Sequence, residues 1–143
     1  MKTQILQKLK EKRLKLTPQR LAIIDVLVEH SSLHPGASLI FQAARKKMKR
    51  LSLSTVYATL DKFSKLSIIK ILEFDRIENR YEGNIETHIN LVCKGCKKII
   101  DYKLPIPIDS KDVAKRAHFV IVDARLEYYG YCEKCRKRRT VNK

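Results

Sequence analysis

Apolar residues in the first half of the chain recur at helical spacing. Ile5 and Leu9, then Leu21, Ile24, Leu27 and Val28, then Val56, Leu60 and Phe63 each line one face of a 3.6-residue repeat, so several short helices are predicted. Thr17-Pro18 offers an N-cap hydroxyl followed by a proline at the first helical position, where a missing N–H costs nothing. His34-Pro35-Gly36 interrupts the pattern, Ala37 to about Met48 resumes it, and Ser52 to Lys65 forms a third helix with Ser52 or Ser54 near its cap. Ile68 to Tyr81 reads as two strands around a polar turn, Asp75 to Asn79. Three helices and a hairpin in this order predict a winged helix-turn-helix.

The period changes between Arg80 and Glu86. Further on, Val120, Val122, Ala124, Leu126 and Tyr128 alternate with Ile121, Asp123, Arg125, Glu127 and Tyr129, which predicts a strand with one face more buried than the other. Asp109 to Ala117 reads as the helix before it. No repeat, low-complexity segment or Gly/Ser linker marks a border, so the change of period does. The expected fold class is α+β: a winged-helix domain over residues 1–82, then a small α/β module over residues 83–143.

Four cysteines add chemistry to the second module. Cys93, Cys96, Cys132 and Cys135 form two Cys-x-x-Cys pairs, and two such pairs complete the tetrahedral S₄ shell that zinc favours. Such a site is closed to water, so the expected Zn²⁺ is structural and the chain is not expected to be an enzyme with a small-molecule substrate. The competing readings are a dithiol redox switch or two disulfides, and no secretory context supports disulfides. The catalytic motifs point the same way, since the four glycines form no phosphate-cradling loop and no His-Glu-x-x-His motif occurs.

Charge then selects a partner. The 143 residues carry a formal net charge of +16, with +10 in residues 1–80 and +6 in the remainder. Such a balance attracts polyanions through counterion release. The opening residues are too charged for a secretory leader, and no apolar run approaches the ~20 residues that span a bilayer, so a cytoplasmic location away from membranes is expected. Aromatic residues make up only 7% of the chain with no Trp, which disfavours a stacking platform for single strands. On the Ser52–Lys65 helix, Val56, Leu60 and Phe63 share one side while Ser54, Ala58, Asp61 and Lys65 lie opposite, with Thr55 and Tyr57 on the flanks. Ser54, Thr55 and Tyr57 are therefore candidates to enter a DNA major groove, where hydroxyls bond base edges or phosphates. The run Arg45 to Arg50 either complements its helix dipole or binds phosphate, and Arg136 to Arg139 reads as a solvated tail that could add nonspecific attraction. A zinc-ribbon RNA-binding module is the alternative from another class.

The stretches LTPQRLAIIDVL, LHPGASLIF, SLSTVYATLDKF, RYEG, THINLVCKGCKKIID and RLEYYGYCEKC cover about Leu16 to Cys135. In that order they resemble the ferric uptake regulator (Fur) family of metal-responsive transcription factors, above all its peroxide-sensing PerR branch. The resemblance implies that residues 83–143 dimerise and that a homodimer binds a palindromic double-stranded DNA operator. By position it implies Tyr57 on the bases, Lys15 in the minor groove and Arg20 on the backbone, with Ala58 where relatives usually have arginine. It also implies a regulatory Fe²⁺ or Mn²⁺ near the domain boundary, on His34, Glu82, His88, Asn90 and Asp101. Asn90 stands where the family typically has histidine, and Glu82 where peroxide sensors commonly have aspartate, whereas Asp101 matches them. Thr87, Ile89 and Ala124 occupy positions where a further family metal site would have ligands. The implied function is a metal-dependent repressor of peroxide-stress or metal-homeostasis genes. A regulator of the same fold without metal sensing is the alternative.

Overall fold

Two hydroxyl caps start the helices that organise the first half of the chain. In the computed structural model, which describes residues 1–105 and 108–141, Thr17 Oγ1 accepts the Arg20 N–H at 3.4 Å and Ser52 Oγ accepts the Thr55 N–H at 3.2 Å. Each bond satisfies an amide that the first helical turn leaves without a partner. The helices that follow are α2 (Pro18–Glu29) and α4 (Leu53–Lys65); α1 (Lys2–Glu11) precedes them and α3 (Ala37–Lys47) lies between them in sequence. β1 (Lys70–Leu72) and β2 (Arg80–Glu82) pair antiparallel with Ile71 opposite Tyr81, which makes the predicted wing.

The helical faces predicted from periodicity form one core. α2 buries Ala22, Ile23, Ile24, Val26 and Leu27, α3 contributes Ala37, Ile40 and Ala44, and α4 contributes Val56, Leu60 and Phe63. α1, whose helical spacing at Ile5 and Leu9 the sequence also carries, adds both residues to the same cluster. Fully burying a side chain such as Leu60 or Phe63 contributes about 1.5–3 kcal/mol, so these faces hold α4 in place.

The chain divides into Met1–Ile85 and Glu86–Lys143, a little later than the expected break after residue 82. Gly83 explains the difference. It is buried, and a Cβ there would meet Ile5 Cδ1 at 3.1 Å and Met1 Sδ at 3.3 Å, so the chain leaving β2 still packs on α1. The first unit also closes a contact that sequence reasoning missed. The α3 N-cap is Gly36, which has no side chain to cap with; Glu78 from the wing instead accepts the Ser38 N–H at 2.6 Å and the Ser38 hydroxyl at 2.8 Å. A Cβ on Gly36 would collide with that carboxylate.

The second unit contains β3 (Ile89–Cys93), β4 (Ile99–Tyr102), α5 (Ser110–Ala117), β5 (Glu127–Gly130) and α6 (Glu133–Val141). The sheet order is β4-β3-β5, antiparallel between β3 and β4 and parallel between β3 and β5. Two expectations are corrected here. The strand expected from Val120 is confined to Glu127–Gly130, and Val120 and Val122 are 82% and 86% exposed, because no strand among the described residues of this unit pairs with them. The basic run Arg136 to Arg139 is helical, with the Arg136 N–H bonded to the Cys132 carbonyl at 2.8 Å, so it continues the structure of the second cysteine pair.

Glu78→Ala should remove the remote cap and lower the stability of the first unit by about 1 kcal/mol, the usual cost of a lost helix cap. Urea unfolding followed by a probe in that unit checks this, with Asp75→Ala at the exposed wing tip as a control expected within about 0.5 kcal/mol of the parent.

Candidate metal centres and nucleic-acid face

Parallel pairing brings the four cysteines together. In the β3·β5 register Cys93 is the partner of Gly130, so the first Cys-x-x-Cys pair leaves the end of β3 beside the residues that lead from β5 into Cys132. The Lys94 N–H bonds the Gly130 carbonyl at 2.7 Å and the Lys97 N–H bonds the Cys93 carbonyl at 2.9 Å, folding the first pair into a tight knuckle. Gly95 is required there by space, because a Cβ would lie 2.8 Å from Cys135 Sγ. All four sulfurs lie within 4.8 Å of one another, and Cys96 and Cys132 are 3.8 Å apart. Four sulfurs at about 2.3 Å from a tetrahedral zinc are themselves about 3.8 Å apart, so the cluster fits that ion.

The thiols do not ionise alike. The N–H of Cys132, which donates to Cys93 Sγ at 3.3 Å, and that of Cys96 pull the Cys93 thiol down to about 6. Hydrogen bonding to the Cys132 side chain, then burial, pushes the Cys135 thiol up to about 12. Four thiolates this close repel, so full ionisation requires a cation among them. For Cys93 the folded state favours the thiolate; that stabilisation is complete above the ordinary thiol value and is lost as pH falls through about 6.

The candidate regulatory residues occur as two sets. In the first unit His34 and Glu82 are both buried, with Nε2 and Oε1 3.3 Å apart, a separation that two ligands of one ion can span. Backbone pairing fixes them: the Tyr81 N–H bonds the Pro35 carbonyl at 3.0 Å, Gly36 bridges to Arg80, and the Arg80 guanidinium donates to the His34 carbonyl at 3.2 Å. His34 also sits at φ 47°, a left-handed conformation that its side chain tolerates at local cost. In the second unit His88 Nδ1 bonds the Glu86 carbonyl at 2.7 Å, a donation that leaves Nε2 as the ring's acceptor, 3.8 Å from Asp101 Oδ1. Asn90 is the register partner of Asp101 across β3 and β4, and is buried.

The α4 surface divides as its sequence pattern predicts. Ser54, Tyr57 and Ala58 are exposed, Tyr57 by 46%, and Thr55 is half-buried. The Ser54 and Thr55 hydroxyls lie 3.0 and 2.8 Å from Ser52 Oγ, so both belong to the cap, with acceptor capacity remaining for a ligand. Lys15 is exposed before α2, and the Arg20 guanidinium bonds the Lys15 carbonyl, fixing that segment against the helix start. The wing between β1 and β2 has the opposite polarity, with Glu73, Asp75 and Glu78 against Arg76. Burial, then Tyr57, Glu78 and Asp61, raises the Tyr81 phenol above its usual range, a second sign that this flank of α4 is acidic.

The ferric uptake regulator family model matches residues 11–129. The peroxide operon regulator of Bacillus subtilis is 34% identical over 134 residues, 93% of this chain and 92% of that protein. The chain belongs to the ferric uptake regulator family.

Solved Fur-family structures agree with the fold. The Helicobacter pylori ferric uptake regulator Fur, described as having three functional metal binding sites, superposes with a TM-score of 0.70 at 28% identity, covering 95% of this chain and 94% of that one. The Campylobacter jejuni peroxide stress regulator gives 0.67 at 28% identity, covering 91% and 98%. In this Fur-family chain the cysteine pairs were legible from spacing alone. Gly95 and the remote cap from Glu78 were not, because each depends on an approach between residues about 40 positions apart in sequence.

Cys96→Ser should abolish zinc retention and unfold the second unit, while amides of α2 and α4 keep their protection from hydrogen exchange. In the unaltered chain a chelator should strip zinc faster at about pH 5.5 than at pH 8, since protons compete for the thiolates.

Proposed function

We propose that this chain is a metal-responsive DNA-binding transcriptional repressor that works in the cytoplasm as a homodimer on a palindromic operator. The observation that carries the reading is α4: one side is sealed in the core, and the other presents Ser54, Thr55, Tyr57 and Ala58 from a capped helix that follows a helix and a turn. Tyr57 offers an aromatic edge to a thymine methyl, the hydroxyls accept or donate at base edges, and Lys15 and Arg20 supply charge for phosphate. Ala58 removes a long side chain from the middle of the reading face, so base contacts concentrate on Tyr57 and the cap. The exposed run Phe119, Val120 and Val122 supports the homodimer, since a second copy would take this apolar surface out of water.

Zinc in the four-cysteine site serves structure, and a regulatory Fe²⁺ or Mn²⁺ draws on the two donor sets, His34 with Glu82 in the first unit and His88 with Asn90 and Asp101 in the second. A mixed imidazole and carboxylate set suits either regulatory ion, and bound Fe²⁺ supplies reactivity toward peroxide beside oxidisable histidines. The chain's own part is to hold those groups ready. His34 is held beside β2 by the Tyr81 N–H on the neighbouring Pro35 carbonyl and by the Arg80 guanidinium on its own carbonyl, and His88 is oriented by the Glu86 carbonyl. No helix among the described residues is long and apolar enough to cross a membrane. Control of peroxide-stress or metal-homeostasis genes follows from the relatives' peroxide regulation and from this donor set.

Asn90 favours a second reading, in which DNA binding no longer needs the regulatory ion. An amide oxygen is a weaker and harder ligand for a transition metal than imidazole.

Operator selected from a random duplex pool should bind more tightly with Mn²⁺ or Fe²⁺ than with zinc alone, and peroxide should release the Fe²⁺ form only. Tyr57→Ala should weaken this binding about tenfold or more without altering metal content, as expected for a lost base contact. Equal binding in every metal state would favour the second reading, and Asn90→His should then create the missing metal dependence.

A further inference from the structure

The cysteine cluster gathers more than sulfur. Lys94, Lys97 and Lys98 lie in or directly after the first knuckle, and Lys134, Arg136, Lys137, Arg138 and Arg139 lie in α6, which begins inside the second pair. All eight are exposed. Because the four sulfurs lie within 4.8 Å of one another, two basic runs separated by 35 residues of sequence meet at one end of the second unit.

Charge compensation of the metal site does not account for them. A zinc tetrathiolate carries two net negative charges, and Glu133, ion-paired to Lys137 at 2.6 Å, is the acid within α6. Eight cations against these leave a surplus of about five positive charges on one small surface. The helix also holds that surface rigid. It is joined to the cysteine cluster at Cys135, and the Arg139 guanidinium lies 4.1 Å from the Tyr131 ring centroid. A solvated tail would spread such charges by repulsion; here they are fixed at a repeating helical separation.

We propose that this knuckle patch, Lys94, Lys97, Lys98, Lys134, Arg136 and Arg138 above all, is a second duplex-DNA contact that binds phosphates without reading sequence. Charge complementarity selects the occupant: a helix that places cations every turn matches a backbone with one negative charge per ~1.7 Å of duplex. The assignment rests on the DNA-binding reading above and deepens it. Operator choice belongs to α4, whereas residence on DNA of any sequence belongs in large part to the patch. The acidic wing strengthens the division, because its three carboxylates to one arginine make it a poor source of phosphate contacts.

The test uses the full zinc-loaded chain and a duplex of unrelated sequence about 40 base pairs long, with binding measured across a salt series. The triple variant Lys98→Gln, Lys134→Gln, Arg138→Gln spares the cysteines, Lys137 and Arg139. Its slope of log affinity against log salt should be shallower by about 2 to 3, at about 0.9 per lost phosphate contact, with nonspecific affinity about tenfold or more weaker near 0.1 M salt. The charge-preserving variant Lys98→Arg, Lys134→Arg, Arg138→Lys should keep the parental slope. Zinc content and oligomeric mass must match the parent in both. An unchanged slope in the glutamine variant overturns the proposal, as does a loss of binding to single-stranded RNA or to vesicles containing anionic lipid with duplex binding intact. If Tyr57→Ala still erases operator preference while the patch variant changes nothing, the patch alone is refuted. If the parent chain binds no duplex at any salt, the DNA-binding reading and the patch fall together.

Discussion

Four thiols held within 4.8 Å of each other are the constraint on which the second half of this protein depends. Four thiolates at that separation repel, so a cation is needed for all of them to ionise, and their surroundings already differ: the backbone N–H groups of Cys132 and Cys96 draw Cys93 down to about 6, while the Cys132 side chain and burial drive Cys135 up to about 12. The unit that contains them has little else to hold it. Among the described residues its buried apolar side chains are few, Ile89, Val92, Cys93 and Ile99, and α5 buries none. A segment this small rarely gains enough from its core alone, so a metal staple and a partner surface are the expected supplements. The parallel β3·β5 register makes the staple possible by ending both strands at the cysteines.

The first unit solves a different problem, which is to hold one helix face in water while the opposite face is locked. Val56, Leu60 and Phe63 provide the lock, and the Ser52 cap sets where the helix begins. The wing returns to the start of α3 through Glu78, and β2 grips the Pro35 backbone through the Tyr81 N–H. His34 and Glu82 are therefore parts of the same bonded framework that supports the wing. A ligand taken by that pair would act on a rigid segment of the first unit, not on a loose loop.

What could be read from the sequence follows from the range of the interactions involved. Periodicity is local, so the α2 and α4 faces, the Thr17 and Ser52 caps and the hairpin were legible, and Cys-x-x-Cys spacing announced its own chemistry. The alternation from Val120 to Tyr129 was misleading for a physical reason. Alternation reports that one face is to be covered, and does not say by what; within this chain Val120 and Val122 remain in solvent. The basic run at Arg136 was misread as a tail because a highly charged helix has no apolar stripe, and its order comes from the cysteines at its start. Of the proposed regulatory residues, His34 with Glu82 and His88 with Asp101 were legible only through family resemblance, since neither pair is close in sequence.

If zinc in the four-cysteine site holds the second unit together apart from any regulatory metal, elemental analysis of the anaerobically purified chain, before and after dialysis against a strong chelator at neutral pH, should show it. About one zinc per chain should survive dialysis, with any iron or manganese removed. A chain that loses all its zinc in dialysis and keeps the hydrogen-exchange protection of β3 and β5 would contradict a structural role for the ion.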